Sequence, residues 1–107
     1  MDLKISWNEL PEEDLGDVRR RIFTGKNVMV VRNIIKPRAV LSAHTHPHEQ
    51  ISYVVSGEIL FRLDGEEHRM KKGDSVYIPG SVPHCLRALT DAVVLDVFTP
   101  ERKDFLK

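Results

Sequence analysis

Hydrophobic and polar residues alternate along this chain in short runs, and each run is closed by a turn signal. One run is rich in β-branched residues and ends before Pro37. Two others are separated by Asp64-Gly65, a dipeptide that favours two-residue hairpin turns. Such runs predict strands, which we place at 28–36, 51–55, 59–63, 66–70, 75–78, 84–89 and 92–98. Seven or more short strands, with helix confined to a turn or so near the ends, predict an all-β sandwich or barrel.

The length of 107 residues matches one domain, and no linker, repeat or low-complexity segment divides it. We therefore expect a single domain over 1–107, with an irregular N-terminal arm at 1–17 and a charged C-terminal tail at 101–107. A chain this short buries a modest core, and its edge strands need covering. A homodimer is the expected assembly.

The 16 basic and 16 acidic residues cancel, which argues against a nucleic-acid partner or an acidic membrane surface. Even the densest basic run, at 19–21, follows an acidic segment that largely neutralises it. No apolar stretch approaches the roughly 20 residues that span a bilayer, and the first seven residues lack the apolar core of a signal peptide. Cys85 is the only cysteine, which excludes an internal disulfide and suits a reducing compartment. We expect a cytoplasmic protein that binds a small molecule.

Four of the five histidines fall in two short segments, 44–48 and 84. On a strand, His44 and His46 would point to the same face, so that both imidazoles can reach one metal ion. His84 follows the turn at 79–83, and an antiparallel neighbour would place it opposite them. Neutral imidazole is the commonest metal ligand near pH 7, and it suits zinc, copper, iron and nickel. A single histidine is more often a surface or hydrogen-bonded residue than a metal ligand, but the clustering favours a metal site.

A carboxylate interrupts the last apolar strand, where Asp96 shares a face with Phe98. If that face lines the interior, Asp96 lies in a low-dielectric pocket and is suited to act as a general acid or base. Arg102 offers a bidentate fork for a substrate carboxylate. Two alternatives stay open: Asp96 facing solvent at a barrel edge, and Arg102 dangling in the tail.

The spacing of these residues resembles the two sequence motifs of the cupin superfamily of small jelly-roll barrels. The first motif has a glycine, a His-x-His pair, a glutamate and a second glycine, and the second has a glycine, Pro-x-Gly, a histidine and an asparagine. The positions in step with them are His44, His46, Gln50 and Gly57, then Gly73, Pro79 and His84. The resemblance implies a cupin-type jelly-roll β-barrel over roughly residues 28–100.

The chain departs from those motifs at four positions. Arg38, Ser81 and Ala88 replace two glycines and the asparagine, so we expect the backbone turns there to differ slightly. Gln50 stands where most metal-binding members carry glutamate. Because its amide oxygen is neutral, a bound ion keeps nearly its full +2 charge, which makes it a stronger Lewis acid that is held less tightly. His48 is the alternative fourth ligand, although Pro47 disturbs the strand alternation there.

Together the segments 44–50 and 96–102 resemble one group in particular, the pectin-degradation cupins, which linearise 4,5-unsaturated uronates to 4-deoxy-5-keto-uronates. The resemblance implies a divalent transition metal (zinc, nickel, manganese or iron) and a carboxylate-bearing sugar as substrate. The residues it implies are His44, His46, Gln50 and His84 as metal ligands, and Asp96, Phe98 and Arg102 in the active site. Two other functions are compatible: a metal-dependent cupin dioxygenase, whose usual iron site carries a carboxylate that Gln50 lacks, and a non-enzymatic small-molecule-binding cupin.

Overall fold

A computed structural model describes residues 3–106, and nearly all of its regular elements are β-strands. The strands are β1 (Glu13–Asp14), β2 (Val18–Thr24), β3 (Met29–Ile35), β4 (Val40–His44), β5 (Glu49–Ser56), β6 (Glu58–Leu63), β7 (Glu66–Lys71), β8 (Ser75–Ile78), β9 (His84–Ala88) and β10 (Ala92–Thr99). Short 3-10 turns at Trp7–Glu9 and Lys103–Phe105 are the only helical elements among the described residues. All seven predicted strands appear within two residues of their expected ends, and the all-β prediction is confirmed.

The expected arm and tail are described except for Met1, Asp2 and Lys107, which lie outside the described residues. The arm is irregular apart from its 3-10 turn and β1, which pairs with β2. Across this pairing, Glu12 and Glu13 form ion pairs with the arginines at 19–21. The charges of that basic run are therefore balanced locally. No helix among residues 3–106 combines the length and the hydropathy needed to span a membrane.

The strands form two antiparallel sheets that face each other. The six-stranded sheet has the order β1-β2-β3-β10-β5-β8, and the four-stranded sheet has the order β4-β9-β6-β7. From β3 to β6 and again from β7 to β10, the chain crosses from one sheet to the other at each connection. This is the connectivity of a jelly roll, in which two sheets close around a core by packing side chains between them.

Apolar side chains fill most of the space between the sheets. The main core includes Val54, Ile59, Phe61, Ile78 and Val94, and a smaller cluster joins Met29, Val31 and Phe98. The inward positions of three neighbouring strands also carry polar residues, which are Asn33 on β3, Asp96 on β10, and Gln50 and Ser52 on β5. A polar layer therefore interrupts the core on one sheet.

Two turns keep a left-handed backbone without the glycine that the cupin motifs place there. Arg38 has φ 68° and Ser81 has φ 66°. Each backbone N–H is used in the turn, since Arg38 donates to the carbonyl of Ala88 and Ser81 to that of His46. The departures at these positions therefore leave the left-handed conformation in place, at the energetic cost that a Cβ imposes there.

Candidate metal centre

His44 and His84 face each other across β4 and β9. The register pairs Leu41 with Leu86 and then His44 with His84, so β4 uses one residue more than β9 over this stretch. Such a bulge re-aims the side chains that follow it. Leu41 packs against the core, whereas His44 is exposed at the end of β4, with its ring centroid 4.3 Å from that of the buried His84.

His46 reaches the same place by a different route from the one that strand alternation predicts. Strand β4 ends at His44, and His46 lies in the connection to β5. The backbone N–H of Ser81 donates to the carbonyl of His46 at 2.7 Å and anchors this connection. The ring of His46 lies 5.7 Å from that of His44 and 4.9 Å from that of His84. One possible ligand atom from each of the three residues falls within 4.8 Å of the others.

Backbone carbonyls fix which nitrogen each of these rings presents. In each ring, Nδ1 lies within hydrogen-bond distance of a backbone carbonyl oxygen. The pairs are His44 with Ser42 at 2.9 Å, His46 with His48 at 3.1 Å and His84 with Val82 at 2.9 Å. Because a carbonyl oxygen only accepts, each Nδ1 carries the proton, and a neutral ring then offers the lone pair of Nε2. Within residues 3–106, no group hydrogen-bonds the buried Nε2 of His84. Metal-ligating histidines are commonly oriented by such Nδ1 contacts.

Burial keeps two of the three rings in the form that binds metals. Desolvation is the largest cause that lowers the pKa of both His46 and His84, and the positive charge of Arg102 lowers both further. Both rings are therefore favoured in the neutral state at pH 7.

Gln50 connects this histidine cluster to Asp96. Its Nε2 donates to Oγ of Ser52 at 2.9 Å and to Oδ1 of Asp96 at 3.2 Å, which turns Oε1 toward His46. Oε1 lies 2.9 Å from Nε2 of His46, so in the neutral ring two lone pairs face each other. A cation between them would relieve this repulsion. Three imidazole nitrogens and one amide oxygen are donors that suit a divalent transition metal.

Asp96 is half-buried and points between the sheets, where three side chains hold it. Its carboxylate accepts hydrogen bonds from Asn33 at 2.9 Å, from Ser52 at 2.6 Å and from Gln50. Burial is the largest influence and raises the pKa of Asp96, while these hydrogen bonds and the charge of His44 lower it. The alternative of a solvent-facing Asp96 is therefore excluded. Asn33 was not predicted as part of the site. A polar residue at an inward position of an otherwise apolar strand could have indicated it.

A small cavity of about 40 Å³ lies between Asp96 and two of the histidines, His44 and His84. It is lined by Leu41, His44, Gln50, Phe61, His84, Cys85, Leu86 and Asp96. Polar atoms thus share an enclosure with apolar walls, where electrostatic interactions are stronger than in water. An ion or a few water molecules fit in this volume.

Phe98 and Arg102 border the cluster on the side of the C-terminal tail. The Phe98 ring lies 5.7 Å from that of His46, and the Arg102 guanidinium carbon lies 5.1 Å from the Phe98 centroid. Arg102 is only 8% exposed, which excludes the alternative of a dangling side chain. His48 packs against His46 with its ring 5.5 Å away, but it is outside the group of three whose ligand atoms converge.

Comparison with known proteins relates the chain to one family over nearly its whole length. A family model described as a cupin domain matches residues 31–98. The pectin degradation protein KdgF of Dickeya dadantii is 34% identical over 103 residues, which cover 92% of this chain and 94% of that protein.

Two solved structures are closely similar. KdgF from Halomonas sp. has a TM-score of 0.93 at 32% identity, with 99% of this chain and 100% of that chain covered. An RmlC-like cupin from Shewanella frigidimarina has a TM-score of 0.95 at 30% identity, with 99% and 97% covered. Both matches include the segments that carry Asp96 and Arg102.

Proposed function

This chain belongs to the cupin domain family, and we propose that it is a metal-dependent enzyme that opens 4,5-unsaturated uronate sugars to 4-deoxy-5-keto-uronates. The observation that carries the proposal is the convergence of three imidazoles and the Gln50 amide oxygen close to Asp96. The similarity to a pectin degradation protein over most of both chains supports the sugar acid as substrate class.

The ligands we propose are Nε2 of His44, His46 and His84 together with Oε1 of Gln50. A bound zinc, nickel, manganese or iron ion would supply Lewis acidity toward an oxygen of the sugar acid. Because Gln50 is neutral, its amide would not cancel the charge of the ion. The three Nδ1 contacts to backbone carbonyls hold the rings in the orientation that this role requires.

Asp96 is the group we propose for proton transfer. It takes the proton of the anomeric hydroxyl as the bond between the anomeric carbon and the ring oxygen breaks, and a proton returns to the vinylic carbon. The product is an isomer of the substrate with a new aldehyde and a new ketone, so no further reactant is needed. A carboxylate with a raised pKa is suited to both halves of this exchange at neutral pH.

Arg102 and Phe98 are proposed to position the substrate. The guanidinium of Arg102 suits the sugar carboxylate because its fork matches a carboxylate in geometry and charge. Phe98, packed between His46 and the tail, would wall the pocket and keep water from the reacting atoms.

Metal analysis of the purified protein, followed by an absorbance assay, tests this function. We expect a divalent metal bound in equal amount to the chain, and an unsaturated uronate should lose its ultraviolet absorbance faster than it does spontaneously. Removing the metal with a chelator should return the rate to the spontaneous one, and re-adding it should restore activity. Oxygen uptake with the same substrate would indicate a dioxygenase instead. Tight binding without turnover would indicate a binding protein.

We also propose that two copies pair through the outer face of the six-stranded sheet. Neighbouring strands β5 and β8 present Ile51, Tyr53, Val55 and Tyr77 there, each between 36% and 51% exposed. The arm covers the other end of the same face, where Trp7 packs on Phe23. A row of large apolar side chains left uncovered on the outer face of a sheet is typical of an interface, and a twofold axis would pair the row with itself.

A further inference from the structure

We propose that Asp104 occupies one edge of the Arg102 guanidinium, formed by Nε and Nη2, in the free protein. A carboxylate ligand must displace Asp104 to bind at this edge. This inference rests on the proposed function, because it takes Arg102 as the group that receives the carboxylate of the sugar acid. It adds a residue, Asp104, that controls access to that group.

The contact between the two side chains is a complete bidentate pair. Nε of Arg102 donates to Oδ1 of Asp104 at 2.9 Å, and Nη2 donates to Oδ2 at 2.6 Å. This is the arrangement in which a guanidinium binds a carboxylate most strongly. Both donors of this edge are filled, so a second carboxylate cannot use the edge while Asp104 holds it.

Two aromatic rings pack close to the Arg102 guanidinium. Its guanidinium carbon lies 5.1 Å from the Phe98 centroid and 4.2 Å from that of Phe105. Phe105 also contacts a second arginine, since the guanidinium carbon of Arg20 lies 4.1 Å from the ring centroid. Packing of this kind fixes the plane of the Arg102 fork, and anions reach it best within that plane.

The two partners differ in how easily each can move. The Arg102 side chain is 10% exposed, whereas that of Asp104 is 56% exposed. Asp104 belongs to the short 3-10 turn Lys103–Phe105 near the end of the chain. Released into solvent, its carboxylate regains hydration, while a buried Arg102 without a partner would be strongly disfavoured. At the Nε and Nη2 edge, a carboxylate ligand therefore binds by exchange with Asp104.

Charge makes this exchange selective. The hydrogen bond from Arg102 is the largest cause that lowers the pKa of Asp104, so the occupant of the edge is an anion. An anionic sugar would take over the interaction that Asp104 makes, and a neutral sugar would not.

Binding of a saturated uronate to the metal-loaded protein tests the proposal without requiring turnover. Galacturonate is titrated calorimetrically into the wild type, Asp104→Asn and the control Asp64→Asn, which makes the same charge change in the exposed β6–β7 turn. If the edge is free in about a tenth of wild-type molecules, Asp104→Asn should bind galacturonate about tenfold more tightly. Asp64→Asn should match the wild type, and neutral galactose should show no gain with either variant.

Kinetics separate displacement from simple positioning. A displaced competitor predicts a lower KM for the unsaturated uronate in Asp104→Asn with kcat unchanged, whereas a residue that only positions Arg102 predicts a lower kcat/KM. Equal or weaker galacturonate binding by Asp104→Asn, or none by either protein, would overturn the proposal. If binding tightens as expected but the metal-loaded protein turns over no unsaturated uronate, the proposed reaction fails and the competition by Asp104 stands.

Discussion

At the scale of single residues, Gln50 does two things that a glutamate cannot do together. Its oxygen faces His46, and its Nε2 donates to Ser52 and Asp96. Gln50→Glu would place a second carboxylate oxygen against Asp96. Without metal, we expect this variant to lose about 1–3 kcal/mol of unfolding free energy, because an acceptor replaces a buried donor. With metal, the added charge should tighten binding of the ion and slow turnover.

Chemical denaturation with chelator present, and competition with a metal indicator, measure these two effects. The double variant Gln50→Glu with Asp96→Asn restores a donor opposite the new carboxylate, so it should recover part of the stability that the single variant loses. A metal-free Gln50→Glu protein as stable as the wild type would contradict this account of the amide.

The proton-transfer role of Asp96 makes a prediction of its own. Asp96→Asn keeps the size of the side chain but removes the group that carries the proton, so turnover should fall at least about 100-fold. Metal content should stay near that of the wild type because the three imidazoles remain. The rate of absorbance loss and metal analysis of the same sample check both statements. Unchanged turnover would refute the role.

Arg38 is an exposed residue whose backbone conformation favours glycine. At φ 68°, the Cβ of an L-residue costs about 1 kcal/mol or more. Glycine removes that cost but adds freedom to the unfolded chain, so we expect Arg38→Gly to gain roughly 0.5 kcal/mol of unfolding free energy relative to Arg38→Ala. The alanine variant is the control because it also lacks the long side chain. Denaturant unfolding of both proteins decides the comparison, and a less stable glycine variant would contradict it.

At the scale of elements, the turn between β5 and β6 depends on Gly57 for two reasons. Its φ is +82°, and a Cβ there would overlap the carbonyl oxygen of Asp91 and lie 2.8 Å from Cα of Ala92. Gly65 has the same φ of +82° but open space around it. We expect Gly65→Ala to cost about 1 kcal/mol from the backbone alone, and Gly57→Ala to cost at least about 2 kcal/mol more because backbone must move.

Thermal and denaturant unfolding of the two alanine variants measure that difference, with activity as a second readout for the position of β10. Ala92 begins β10, the strand that carries Asp96, so a shift at Gly57 should reach the site. Equal losses in the two variants would show that the close approach to Asp91 and Ala92 contributes little.

The sequence predicted the strands well because a period of two is a local property. It placed Asp96 and Phe98 on one strand face but left open whether that face lines the interior, and it expected His84 opposite His44, as the register has it. The predicted strand position of His46 was wrong, since β4 ends at His44 and His46 lies in the loop that follows. Bulges, strand ends and the pairing of distant strands depend on contacts far away in the chain, which is also why the contact between Asn33 and Asp96 was missed.

At the scale of the whole molecule, the site depends on both sheets at once. His44 and His84 come from the four-stranded sheet, whereas Gln50 and Asp96 come from the six-stranded one. The cavity between them therefore exists only when the sheets are packed, and an ion held by both would stabilise the packed state. Through this linkage, the proposed metal would stabilise the fold as well as take part in catalysis.

The proposed dimer is tested on the outer face of the six-stranded sheet, away from this cavity. Tyr53 lies between Ile51 and Val55 on β5, at the centre of the exposed apolar row, and it pairs with Leu95 of β10. In a twofold dimer, Tyr53→Lys would bring two buried charges close together, so we expect a monomer with its metal site intact. Val40→Lys makes the same kind of change on the other sheet, at a side chain that is 64% exposed, and should leave the dimer unchanged.

Light scattering during size exclusion, at micromolar to millimolar protein, measures the mass of the wild type and both variants. A wild type with the mass of one chain over that range, or a Tyr53→Lys protein that stays dimeric, would show that this face does not pair the subunits.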